Sequence, residues 1–172
     1  MSLDTMRDLL IAEMSDVLNA EKQLLKALPK MVRAASSPTL KKAFTMHLAE
    51  TKKQVTRLDQ AFAALGERPL RKKCKGMEGL LAEGAEMAQE DGDDAVRDAG
   101  LICAAQRVEH YEIAAYGGIV TFAELLGETK VARLMEQTLA EEEKADSKLS
   151  TIAEGEINDE ALAAGEADED EE

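Results

Sequence analysis

The sequence predicts an all-α protein, a four-helix bundle with a short extra helix in a long crossover between the second and third long helices. Three observations lead there. The chain is rich in Ala, Leu, Glu and Lys, which are strong helix formers, and its 172 residues hold only three Pro and no Trp. No segment of useful length shows the two-residue alternation of a half-buried strand. Glycine, proline and aspartate punctuate the chain into four long segments with helical periodicity.

The first helix is expected over residues 3–34, with the apolar stripe Leu10, Met14, Val17, Leu24, Leu28. Pro29 should disturb it late, since proline removes one internal hydrogen bond. Ser36-Ser37-Pro38 supplies a cap followed by proline at the first helical position. The second helix then runs to about Leu65, stopped by Gly66, with the stripe Leu40, Phe44, Leu48, Val55, Leu58, Phe62. Residues 67–75 form a basic loop, and residues 77–90 a short helix broken by Asp91-Gly92-Asp93. The third long helix spans residues 94–126 and is stopped by Gly127; the fourth spans residues 129–153. Long helices joined in this order, with one extended connection, describe a bundle with a crossover.

The net charge of −14 is unevenly spread. Residues 154–172 hold ten acidic side chains and no basic one, which leaves −4 on residues 1–153. The expectation is a bundle domain over 1–153 and an acidic, disordered, solubilising tail over 154–172. Such a tail argues against nucleic-acid binding, and the Arg71-Lys72-Lys73 loop has no interleaved aromatics. No signal peptide opens the chain, and no stretch approaches the ~20 apolar residues of a membrane span. Cys74 and Cys103 suggest neither a zinc set nor a disulfide framework, so a reducing cytoplasm fits best. The eight Met are scattered core filler.

The apolar stripes are interrupted by acids. Glu21 lies between Val17 and Leu24, Glu109 and Glu112 lie on the stripe Ile102, Ala105, Ile113, Tyr116, Val120, and Glu142 lies between Met135 and Leu149. At about 100° per residue, Glu109 falls about −20° and Glu112 about −80° from Ile102, and Glu142 about +20° from Val131. On the second helix His47 falls about −60°, Gln54 about −80° and Glu50 about −120° from Phe44, which puts Glu50 at the margin of the apolar arc. Glu141 and Glu143 face away and read as surface residues, and Tyr116 as core packing. A lone ionised carboxylate in an apolar core is costly or neutralises itself. Several converging carboxylates need a shared cation, and a metal pair answers that need. One carboxylate per helix, from two helical hairpins, is the arrangement of di-iron and di-manganese bundles. Those proteins add a Glu-x-x-His on two helices; here Lys53 follows Glu50 and Ala145 follows Glu142 at that spacing.

The segments Asn19-Ala20-Glu21-Lys22-Gln23-Leu24, His47-Leu48-Ala49-Glu50-Thr51 and Gln106-Arg107-Val108-Glu109-His110-Tyr111-Glu112 resemble the YciE/YciF family of ferritin-like stress proteins. Leu139 to Asp146 is similar too, and the likeness covers about residues 3–153. The Glu109-x-x-Glu112 pair also resembles the carboxylate-rich site of rubrerythrins. The resemblance implies a ferritin-like bundle, a role in bacterial stress response, ferroxidase-like chemistry, a di-metal site and dimers. By position it points to Glu21, Glu50, Glu109, Glu112 and Glu142 as ligands.

His47, Gln54, His110 and Asp146 are further candidates, as extra ligands or as groups that hydrogen-bond the ligand carboxylates. A carboxylate-rich, imidazole-poor set suits iron or manganese. Two divalent ions would nearly balance five ionised glutamates. The expectation is therefore two iron ions, oxidised by dioxygen or peroxide, in a homodimer with no nucleic-acid or membrane partner. A non-catalytic, metal-stabilised stress or interaction protein is the alternative, as is manganese catalase-like removal of peroxide.

Overall fold

The computed structural model describes residues 3–169, with side chains described up to residue 164. It is all-helical: α1 (Met6–Ala34), α2 (Pro38–Leu65), α3 (Lys75–Met87), α4 (Asp94–Leu125), α5 (Thr129–Ile152) and, after a π turn at Ala153–Ile157, α6 (Asn158–Glu169). The starts of α1, α2 and α4 have local causes. Thr5 and Asp8 form a capping box on α1. Ser37 caps α2 with Pro38 at its first position, and Asp93 caps α4. Gly66 and Gly127 end α2 and α4 with φ of 68° and 71°, a left-handed geometry that favours glycine. Pro29 is accommodated within α1, which continues to Ala34.

Helices α1 and α2 form one hairpin and α4 and α5 the other; α2 packs on α5 and α1 on α4 to close the bundle. The crossover helix α3 lies over α4 and α1. Asp98 is the hinge pin of the α1–α2 connection. Its buried carboxylate accepts the Ser36 N–H at 2.8 Å and the Ser37 N–H at 2.6 Å, which ties that turn to α4. Sequence periodicity gave no hint of this. The basic loop is less free than expected: Leu70 N–H donates to Ser15 Oγ at 3.0 Å, and Lys72 pairs with Asp16 at 3.2 Å.

The core divides into two apolar clusters. One holds Leu10, Met14, Leu18, Leu58, Phe62, Ile119, Val131 and Met135. The other holds Leu24, Leu28, Leu40, Phe44, Leu101, Ile102 and Leu149. On every long helix a buried polar stretch separates them: Glu21 on α1, His47, Thr51 and Gln54 on α2, Glu109 and Glu112 on α4, Thr138 and Glu142 on α5. The bundle therefore carries one polar layer across its middle.

The acidic tail differs from expectation over its described part. Helical backbone continues to Glu169, α6 packs on α4, and Ile157 is 1 % exposed. The π turn is the device. Asn158 N–H bonds to the Ala153 carbonyl, and the widened turn brings Ile157 back to the apolar cluster that holds Ile152. Residues 170–172 lie outside the described residues.

Candidate metal centre

The polar layer is assembled from single residues whose helical phase aims them inward. One ligand atom from each of His47, Glu109, Glu112 and Glu142 lies within 4.8 Å of the others. His47 Nε2 stands 3.3 Å from Glu109 Oε1 and 3.8 Å from Glu142 Oε2. Glu21, fully buried, adjoins this group, since its charge is among those felt by Glu109 and Glu112.

Each of two carboxylates has one oxygen held and one left over. Tyr116 Oη donates to Glu21 Oε1 at 2.5 Å, and Gln54 Nε2 donates to Glu142 Oε1. Among the described residues, Glu21 Oε2, Glu142 Oε2, Glu109 Oε2, both oxygens of Glu112 and both nitrogens of His47 are buried without a hydrogen-bond partner. Gln54 Oε1 is the remaining buried side-chain atom in that condition. A buried unsatisfied polar group costs about 1–3 kcal/mol. Such groups are rare in folded proteins, and here all of them converge on one layer. They fit bound cations, which would supply partners to the carboxylate oxygens and to one nitrogen of His47.

Electrostatics agree. Burial, followed by repulsion from neighbouring glutamates, pushes the carboxyls of Glu21 and Glu112 well above the ordinary range. Burial and the contact with Glu142 do the same to Glu109. Burial and the nearby Glu21 raise the Tyr116 phenol. The upward direction favours the protonated carboxyls of Glu21, Glu109 and Glu112 in the metal-free layer, and a divalent ion bound there would compete with those protons.

A second layer holds the first. Arg57 grips Glu141 with two bonds of 2.9 Å and donates to Thr138 Oγ1 at 2.7 Å. Gln54 Nε2 also donates to Glu141 Oε2 at 3.1 Å, beside its bond to Glu142. Glu141 is thus no idle surface residue; it anchors the amide that orients Glu142. Tyr116 is likewise more than packing. Helical phase alone could not reveal either, because both act through hydrogen bonds between helices.

The remaining candidates lie further out. Glu50 stays at the rim, its side chain 32 % exposed and 3.9 Å from His47 Nδ1. His110 is 70 % exposed and lies outside the layer, 3.3 Å from Asp146. Asp146 accepts from Gln106 Nε2 at 3.0 Å rather than bonding a ligand carboxylate. A cavity of about 570 Å³, walled mainly by apolar side chains such as Leu24, Phe44, Leu81 and Val108, also touches His47, Glu50 and Glu109. Its lining also includes the exposed Lys26 and Lys30. Among the described residues no helix is long and apolar enough to cross a membrane.

The profile of a domain of unknown function, DUF892, matches residues 5–162. The chain belongs to the DUF892 family. Protein YciF of Escherichia coli K12, 44 % identical over 162 residues, aligns with 94 % of this chain and 98 % of its own. The crystal structure of that organism's YciF, described as a stress protein, superimposes with a TM-score of 0.88 at 46 % identity, over 90 % of this chain and 98 % of its own. YcfI of Rhodopseudomonas palustris, a candidate structural protein by its description, gives 0.85 at 44 % identity, over 88 % and 97 %. A Xanthomonas campestris protein shares the fold at a TM-score of 0.73 and 21 % identity. The expected YciE/YciF resemblance and the all-α bundle are both borne out for this DUF892 chain.

Proposed function

We propose that this DUF892 protein holds a pair of iron ions in its polar layer and oxidises Fe(II) with dioxygen or peroxide as part of a stress response. The observation that carries the reading is the convergence of buried, unpartnered ligand atoms from Glu21, His47, Glu109, Glu112 and Glu142. Oxygen donors with one imidazole make a hard set suited to iron or manganese. Bound there, the ions would supply one-electron redox steps and a Lewis-acidic centre. The protein's own part is positioning. Tyr116 and Gln54 fix one oxygen each of Glu21 and Glu142 and leave the other free to ligate. Arg57 and Glu141 lock Gln54 in turn. Glu50 stands at the rim beside His47, outside the four residues whose ligand atoms converge. The largely apolar cavity suits entry of a small oxidant.

Anaerobic loading with Fe(II), followed by air or peroxide, tests this. Near-ultraviolet absorption of a bridged ferric pair should develop in the native protein and vanish in Glu109→Ala and Glu142→Ala. No absorbance change on oxidation of bound iron would refute the catalytic part.

The description of YcfI and the missing Glu-x-x-His histidines favour a second reading, a metal-stabilised structural protein without turnover. It expects metal to raise the unfolding temperature with no oxidation chemistry. Peroxide disproportionation by manganese-loaded protein would instead identify a catalase-type centre.

A further inference from the structure

The cavity beside the polar layer is far larger than a small oxidant needs. Its volume is about 570 Å³, whereas a water molecule takes about 30 Å³ of the liquid. It falls within the roughly 300–1,000 Å³ of small-molecule sites, which are mostly apolar with a few placed polar groups. The space has a cause in the sequence. Helix α3 docks on α4 through residues without bulk: a Cβ at Gly84 would stand 3.6 Å from the Ala104 methyl, and one at Gly76 would stand 2.8 Å from the Tyr111 ring. The wall then carries Ala27 on α1, Ala85 on α3 and Ala105 on α4, where larger side chains would fill the gap.

The lining has an apolar depth and a charged margin. Leu24, Leu28, Phe44 and Val108 are buried, while Leu80 and Leu81 of α3 line the space half-buried. Charge around the margin is uneven. On the side formed by α2 and α5, Lys144 and Lys148 share the lining with Glu50 and Glu141, and Lys148 contacts Met46 Sδ at 3.3 Å. Lys73 pairs with Glu78. Lys26 and Lys30 stand one turn apart on α1, both exposed, and pair with no carboxylate among the described residues. They make an unneutralised positive pair at the cavity in a chain whose net charge is −14.

We propose that the cavity binds a long-chain monocarboxylate of the fatty-acid class, with its carboxylate at Lys26 and Lys30 and its chain against Leu24, Leu28, Phe44 and Val108. A positive pair outside and an apolar wall inside match an amphiphilic anion in both of its parts. Each methylene taken from water adds roughly fourfold to affinity, so the chain supplies most of the binding and the lysines select the head group. Lysine suits that margin because its stem covers apolar surface while its ammonium stays in water. A slim chain fits between these walls, whereas a helix of a partner protein, about 10–12 Å across, does not. The site uses none of the ligand atoms of the polar layer, so it stands whether or not that layer turns over iron.

Fluorescence titration of the full chain with cis-parinaric acid, in chelator, tests it apart from any metal chemistry. Emission should rise and saturate at one probe per chain. Dodecanoate should displace the probe, and decanoate, two methylenes shorter, should compete about tenfold less well. Dodecanol, which has no charge, should also compete about tenfold less well than dodecanoate. The double variant Lys26→Glu/Lys30→Glu changes only exposed side chains and should weaken the probe about tenfold, a gap that added salt narrows. Ala27→Trp fills the space and should abolish binding, with circular dichroism to establish that it folds; if it does not fold, the exposed double variant decides. No saturable signal, equal competition by dodecanoate and dodecanol, or unchanged binding in the double variant overturns the proposal. So does a folded Ala27→Trp that binds the probe as the native chain does, since the probe then sits elsewhere.

Discussion

Glu112→Met should stabilise the metal-free protein and destabilise the metal-loaded one. Both oxygens of Glu112 are buried and without a hydrogen-bond partner, and burial with the neighbouring glutamates pushes its carboxyl well above the ordinary range. Each such orphan costs about 1–3 kcal/mol, and methionine of similar volume removes both while adding apolar burial. A gain of about 2 kcal/mol is a sober figure, since methionine packs imperfectly in a polar layer. For a chain of this size that corresponds to a rise in Tm of about 4–8 °C. Metal reverses the order. At a hundredfold excess over Kd a ligand specific to the folded state adds about 2.7 kcal/mol per site. The native chain gains this and the variant, short of one ligand, does not. Thermal unfolding followed by circular dichroism, in chelator and then in Mn(II), reads both signs. If Glu112→Met destabilises in chelator and metal shifts neither protein, Glu112 is an ordinary structural group and the reasoning fails.

Three further outcomes follow from the same geometry. The carboxyls of Glu21, Glu109 and Glu112 sit well above 4.5, the value of a free glutamate, so the metal-free folded state holds protons that the unfolded chain releases. Their contribution is full below that value and lost as pH rises toward the folded pKa, so urea midpoints in chelator should fall with rising pH; saturating metal, which replaces the protons, should reverse the slope. Arg57→Met removes the grip on Glu141 and the bond to Thr138, and should weaken metal binding by about 10–100-fold in isothermal titration. Asp98→Ala deprives the Ser36 and Ser37 N–H groups of their acceptor and should cost about 2–3 kcal/mol in chemical denaturation, with metal stoichiometry unchanged.

Helix boundaries and the inward aim of Glu21, Glu109, Glu112 and Glu142 were legible because both follow from local rules. Caps and glycines set the ends, and a period of about 3.6 residues sets the phase. His47 and Glu50 show the limit of phase. They lie three residues apart on α2, about 60° from each other by the same rule, yet one is buried among the acids and the other is at the rim. Neighbouring helix positions decide that, and one helix cannot report them. Arg57, Glu141 and Tyr116 were missed for the same reason, since each matters through a bond to another helix. The α6 extension was missed because ten acids outweigh a single isoleucine in residues 154–172, whereas in the fold Ile157 joins Ile152 in the core.

The central claim is that the polar layer is a metal centre. Elemental analysis of the purified protein, joined to anomalous scattering from a crystal, tests it most directly. The account expects two ions per chain, within bonding distance of Glu21, Glu109, Glu112, Glu142 and His47. A metal-saturated sample whose crystal shows only water in the layer, or ions bound elsewhere, would contradict it.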